Sequence, residues 1–76
     1  MNLSETNTIE IVLNGDSRRV PEGLTLEKLL AWLEIDPARV AVELDREIVR
    51  KPAWQTTQIN PGAQMEVVWF VGGGSW

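Results

Sequence analysis

The sequence predicts an α+β fold in which a mixed sheet of four to five strands packs on one α-helix. Three observations support this prediction. Several short segments alternate apolar and polar residues with period two, which is typical of half-buried strands. One segment repeats leucine with the spacing of a helix face, and a strongly apolar strand precedes a run of glycines. A single helix buries such a face by packing on a sheet, so these parts form one domain.

The composition excludes several classes of chemistry. The chain has 76 residues, which corresponds to one small domain, and it contains no Cys, His or Tyr. Thiolate nucleophiles, Cys/His zinc sites and a Ser–His–Asp triad are therefore impossible. The net charge is −4, which disfavours nucleic-acid binding. We therefore expect a protein that is not an enzyme, and the spacing of its carboxylates indicates no metal site.

The start of the chain bears on its location. Residues 1–7 are polar and lack the basic and apolar regions of a signal peptide, so we expect a disordered lead-in. No apolar run approaches the roughly 20 residues that a membrane helix needs. The sequence thus predicts a cytoplasmic protein without membrane contact.

The first two strands are predicted to form a hairpin. Residues 8–14 alternate with period two, and Asn14-Gly15 is a strong signal for a two-residue turn, because type I′ turns need positive φ. Residues 17–20 are the returning strand. Pro21 ends it, because proline donates no hydrogen bond to the ladder.

One helix follows. Thr25 is its predicted N-cap, since its hydroxyl can accept a hydrogen bond from a free main-chain N–H. The apolar stripe consists of four leucines at i, i+3, i+4 and i+7: Leu26, Leu29, Leu30 and Leu33. Trp32 lies off the stripe, and Asp36-Pro37 is expected to close the helix.

The middle of the chain alternates again. Residues 39–44 predict a third strand, and a turn at Asp45-Arg46 leads into a short fourth strand at residues 47–50. Residues 52–54 predict one short helical turn, whose tryptophan covers the edge of the core.

The last strand is predicted to lie in the centre of the sheet. Residues 64–71 follow a Pro-Gly turn and are apolar on both faces, which is typical of a central strand. The first and last strands then lie side by side with a helix crossing over, as in a β-grasp sheet. We expect a β-grasp domain over residues 8–71 and a flexible glycine-rich tail over residues 72–76.

The strand alternation also predicts a docking face. One face is assigned to the helix: Ile9, Ile11, Leu13, Val40, Val42, Leu44, Met65 and Val67. The other face would then carry four apolar side chains: Val12, Ala41, Val68 and Phe70. The carboxylates of Glu10, Glu43 and Glu66 would flank them.

Apolar patches of this kind often bind partners, and we expect Phe70 to be the anchor. The alternative is that loops cover this face or that it is only lightly exposed. A slip of one residue would exchange the faces and place Trp69 outside.

The sequence resembles the ThiS-type sulfur carrier proteins of thiamin biosynthesis, which have a ubiquitin-like β-grasp fold. The similarity runs from about Ile9 to Gly74. It is carried by VPEG at 20–23, TLEKLL at 25–30, RVAVEL at 39–44, EIV at 47–49 and VVWFVGGG at 67–74.

The resemblance implies a role for the tail. Such carriers bind no cofactor and are substrates of an E1-like adenylating enzyme, which uses ATP to activate the C-terminal glycine carboxylate. A sulfur relay converts it to a thiocarboxylate, and thiazole synthase receives the sulfur for the thiazole ring. On this chain, Gly74 would be the adenylation and thiocarboxylate site. Gly72 and Gly73 would precede it in the enzyme channel, where residues without a Cβ fit.

The end of the chain departs from the family pattern. Ser75 and Trp76 follow Gly74, so Gly74 bears an amide carbonyl that cannot be adenylated. Three explanations remain open. A tail-processing protease cleaves after Gly74; the two residues are an addition to the natural chain; or this member carries no sulfur. We expect removal of Ser75 and Trp76.

The sequence is also compatible with two other functions. The chain could carry sulfur in another pathway, as the small subunit of molybdopterin synthase does. It could instead be a non-reactive ubiquitin-like interaction module that uses only its sheet face.

Overall fold

The computed structural model describes residues 7–70, which form a five-stranded sheet with one α-helix packed on one side. The strands are β1 (Thr8–Leu13), β2 (Asp16–Pro21), β3 (Val40–Leu44), β4 (Glu47–Val49) and β5 (Gln64–Trp69), and the helix is α1 (Leu26–Trp32). The predicted α+β fold is confirmed.

The sheet has the strand order β2-β1-β5-β3-β4. β5 lies in the middle, parallel to β1 and antiparallel to β3. Leu13 lies beside Met65, and Val42 lies beside Val67. The predicted central position of the last strand next to the first is therefore confirmed.

Both hairpins turn through residues with positive φ. Asn14 and Gly15 have φ of 50° and 86° between β1 and β2, which confirms the predicted turn. Asp45 and Arg46 have φ of 50° and 73° between β3 and β4. The second turn thus uses two non-glycine residues in the left-handed region, where Asp is tolerated more readily than Arg.

The helix packs on the sheet through its leucines. Thr25 Oγ1 accepts a hydrogen bond from the Lys28 N–H at 3.3 Å, so the predicted N-cap is confirmed. Three stripe leucines are fully buried, and the fourth, Leu33, packs against the core from a partly buried position. Trp32 is 50% exposed at the end of the helix.

The helix ends earlier than the sequence predicts. Leu33 is its C-cap, and Glu34 follows with φ of 63°, a left-handed conformation that stops the helix before the proline. Asp36 instead caps a short 3-10 turn, Pro37–Arg39, because its Oδ1 accepts from the Ala38 N–H at 2.9 Å.

The predicted helical turn is a second 3-10 turn, Lys51–Ala53, and Trp54 after it is buried in the core, deeper than the predicted position at the core edge. The Trp54 Nε1–H donates to the Val49 carbonyl at 2.7 Å, so the buried indole is satisfied. Further along, the Ala63 N–H donates to the Asn60 carbonyl at 3.1 Å across the predicted Pro-Gly turn.

The last strand is shorter than predicted. β5 ends at Trp69, although the Phe70 N–H still donates to the Arg39 carbonyl at 2.9 Å. Trp69 alternates with the buried Met65 and Val67 but is 50% exposed, because it is the final residue of the strand. Val71, the predicted lead-in over residues 1–6 and the predicted tail over residues 72–76 lie outside the described residues.

Among residues 7–70, no helix has the length and apolar character to cross a bilayer.

Candidate functional site

The outer face is the sheet surface opposite α1, and it carries the predicted docking residues. Ala41 and Val68 lie directly opposite each other on β3 and β5. Val68 is 58% exposed, and Ala41 is half-buried. Phe70 follows β5 as a half-buried side chain. The structure thus brings three of the four predicted residues to one end of the sheet.

An apolar groove forms beside these residues. Ala41, Ile48 and Phe70 line this groove, which has a volume of about 380 Å³. Its other lining residues include Arg50, Lys51, Pro52 and Trp54. Ile48 is 76% exposed, the most exposed large apolar side chain among the described residues.

Sequence reasoning did not assign Ile48 to the docking face. The signal was present: Val49 packs against the core, so its neighbour in a strand must point outward. β4 has only three residues, which is too short for an alternation to stand out in the sequence.

Val12 lies apart from the other predicted residues. Its neighbour on β5 is Gln64, which precedes Val68 by about 13 Å of extended strand. Val12 lines a different, more polar pocket together with Glu43, Arg46 and Glu66. The predicted docking face therefore consists of two separate areas rather than one continuous patch.

Two of the three predicted rim carboxylates lie between these areas, whereas Glu10 lies on β1 opposite Arg19 of β2. Glu43 on β3 and Glu66 on β5 are directly opposite in the register, so their carboxylates face the same side. Within residues 7–70 the only ion pair joins Arg39 to Asp36, at 3.7 Å. Neither glutamate forms an ion pair there, so two like charges lie directly opposite each other, an arrangement that weakens a sheet.

Replacing Glu66 by Lys should stabilise the protein. The new ammonium would lie opposite the Glu43 carboxylate, and such cross-strand pairs contribute about 0.5 kcal/mol. Urea denaturation should show this gain at low salt and lose most of it near ~1 M salt, where charges are screened. The neutral variant Glu66→Gln should show a smaller gain, and a less stable Glu66→Lys would contradict this account.

Asn14 connects the first hairpin to the central strand. Its main-chain N–H donates to the Met65 carbonyl at 2.8 Å. Its side-chain Oδ1 accepts from the Val67 N–H at 2.7 Å, and Nδ2 donates to the Val67 carbonyl at 3.3 Å. The side-chain amide therefore occupies the place of the next peptide group of β1. We call this pair of side-chain hydrogen bonds the Asn14 clamp.

The predicted reactive glycines, Gly72, Gly73 and Gly74, lie outside the described residues. The structure describes the strand that leads to them: β5 and Phe70 are held by β3 on one side and by the Asn14 clamp on the other. In residues 7–70, no group of three or more Asp and Glu side chains could hold a metal ion.

Known proteins are similar to this chain over most of its length. A family model, the ThiS family, matches residues 6–74. The chain is 40% identical over 67 residues to a thiazole synthase of Paramagnetospirillum magneticum, covering 88% of this chain and 21% of that protein. A thiazole synthase of Magnetococcus marinus is 38% identical, over 87% of this chain and 20% of that protein. The chain thus spans about a fifth of these relatives. The uncharacterized protein ycf40 of Porphyra purpurea is 32% identical, over 87% of this chain and 93% of its own length.

Solved structures show the same fold. The crystal structure of the thiamine biosynthesis protein ThiS from Geobacter metallireducens superposes with a TM-score of 0.77 at 30% identity, covering 87% of this chain and 100% of that one. A solution structure of a thiamine biosynthesis protein from the same organism gives a TM-score of 0.71, covering 90% and 91% of the two chains.

Proposed function

The chain belongs to the ThiS family, and from this membership we propose that it is a sulfur carrier protein of thiamin biosynthesis. The observation that carries the proposal is the extent of the family match, which continues past the described residues and includes Gly72, Gly73 and Gly74. Two relatives named thiazole synthase contain a segment similar to this chain, which supports thiazole synthase as the recipient of the sulfur.

The proposed chemistry takes place at the carboxylate of Gly74 in the active site of an E1-like adenylating enzyme. A carboxylate oxygen attacks the α-phosphorus of ATP, and pyrophosphate leaves. Hydrosulfide then adds to the acyl carbon of the adenylate, and AMP leaves with the former carboxylate oxygen. The product is a thiocarboxylate, which passes its sulfur to thiazole synthase. The carrier supplies the acyl group and the enzyme supplies the catalysis.

The folded domain has two tasks in this scheme. It fixes the strand that leads to the tail in the sequence, because β3 holds β5 as far as Phe70 and the Asn14 clamp holds it at Val67. It also offers exposed apolar surface on the outer face, at Ile48 in the apolar groove and at Val68 on β5. A partner that binds this surface would receive the glycines in a fixed direction. The free energy of the surface contacts would offset part of the entropy cost of ordering the glycines.

The scheme requires a free carboxylate on Gly74. Ser75 and Trp76 must therefore be absent from the reactive form, whether a tail-processing protease removes them or the natural chain lacks them.

The proposal is tested by measuring the intact mass of the chain ending at Gly74 after incubation with ATP, sulfide and the E1-like enzyme from the same source. We expect a species in which one oxygen is replaced by sulfur. The 76-residue chain is the matched control, and it should stay unmodified unless the Gly74–Ser75 bond is cleaved first.

An unmodified Gly74 chain, in a reaction where the enzyme still forms an adenylate on another carrier, would leave only an interaction module. If the thiocarboxylate does form, the modified chain should transfer its sulfur to thiazole synthase in a second incubation. Loss of sulfur only to the large subunit of molybdopterin synthase would assign the carrier to that other pathway.

A further inference from the structure

The hydrogen bonds of β5 alternate between its two neighbours. The Phe70 N–H donates to the Arg39 carbonyl at 2.9 Å, and the Asp45 N–H donates to the Gln64 carbonyl at 2.7 Å. Antiparallel strands exchange hydrogen bonds at every second residue. The main-chain N–H and C=O groups of the even-numbered residues of β5 therefore point toward β3. Those of the odd-numbered residues point toward β1.

On the side of β1, the last residue of β5 has no neighbouring strand among residues 7–70 to bond with. The Met65 carbonyl accepts from the Asn14 main chain, and the Val67 peptide groups are satisfied by the Asn14 clamp. At Gly15 the chain turns away into β2. The next groups on this side belong to Trp69, and within the described residues its main-chain N–H and C=O have no hydrogen-bond partner.

We propose that this open edge at Trp69 pairs with an extended segment of the activating enzyme, which adds a short strand beside β5. This inference rests on the proposed function. A residue that offers an unpaired N–H and an unpaired C=O in one direction matches the peptide groups of an added strand. The flanking side chains are accessible to such a strand, because Val68 is 58% exposed and Trp69 is 50% exposed.

The position of the edge favours the activating enzyme as the partner. Adenylation requires the Gly74 carboxylate to be held in line with ATP. In the sequence the tail begins three residues after Trp69, so a strand paired at Trp69 would fix the end of β5 from which the tail continues.

Amide exchange measured by NMR tests this pairing on the unmodified backbone. The chain ending at Gly74 retains every described residue and is the form that the enzyme activates. Alone, its Trp69 amide should exchange much faster than the Val68 amide, which faces β3. In complex with the activating enzyme and without ATP, Trp69 exchange should slow by at least about tenfold, as expected for a new main-chain hydrogen bond.

Two variants separate the main chain from the side chain. Trp69→Ala removes the indole and keeps the N–H, whereas Trp69→Pro also removes the N–H without breaking a hydrogen bond to β3. The proline variant should bind the enzyme about fivefold to tenfold more weakly than the alanine variant, corresponding to one lost hydrogen bond. Circular dichroism checks that both are folded.

The outcomes distinguish this inference from the proposed function. If thiocarboxylate forms but Trp69 exchanges as fast in the complex as alone, the strand pairing is wrong and the carrier function stands. Equal binding of the alanine variant and a folded proline variant would overturn the pairing as well. If no complex and no adenylate form, both proposals fail together.

Discussion

Asn14→Ala is expected to lower the free energy of unfolding by about 3 kcal/mol. The substitution removes both hydrogen bonds of the Asn14 clamp, each contributing about 1 kcal/mol. It also places alanine at φ of 50°, where an ordinary L-residue costs roughly 1 kcal/mol more than Asn or Gly. Urea denaturation of the purified chain measures the loss.

Two other variants at this position separate the contribution of the clamp hydrogen bonds from that of the turn conformation. Asn14→Gly tolerates the turn conformation but lacks the clamp, so it should lose about 2 kcal/mol. Asn14→Asp keeps the acceptor for the Val67 N–H and loses the donor to the Val67 carbonyl, and it should fall between Asn and Gly. If Asn14→Gly is as stable as the natural protein, the clamp contributes nothing and Asn14 serves only the turn.

Phe70→Ala is expected to weaken binding to the activating enzyme about 30-fold, which corresponds to about 2 kcal/mol. Phe70 lines the apolar groove at the end of β5, and aromatic anchors dominate the energetics of protein interfaces. Its half-buried position limits the loss of folding stability to about 1 kcal/mol. Isothermal titration calorimetry and urea denaturation measure the two quantities separately.

Trp32→Ala is the matched control for this prediction. Trp32 is also a large, half-exposed aromatic side chain, but it lies at the end of α1 on the other side of the sheet. Its removal should leave binding unchanged. A Phe70→Ala variant that loses as much folding energy as binding energy would show that Phe70 belongs to the core rather than to the docking surface.

Much of the fold could be predicted because its signals are local. The Asn14-Gly15 turn, the leucine stripe of α1 and the alternation of β1 and β3 each depend on residues within a few positions of one another. The central place of β5 also followed from its own composition, because a strand that is apolar on both faces needs neighbours on both sides.

The features that escaped prediction depend on tertiary register. Asn14 was assigned only to a turn, since its bonds to Val67 span 53 positions of the chain. Val12 was grouped with Val68 because alternation gives the face of a strand and not the offset between strands. Ile48 was missed because β4 is short, and the early end of α1 depends on the left-handed conformation of Glu34.

The central position of β5 has a consequence for synthesis. Before residue 64 is made, the chain can form the β1–β2 and β3–β4 hairpins, but no strand joins them into one sheet. Pairings between distant parts of a chain form late and limit the rate of folding. A nascent chain on the ribosome therefore has no Ala41–Val68 surface until Gln64–Trp69 has emerged. The surface on which the proposed docking depends therefore forms only when the last strand has been made and has joined the two hairpins.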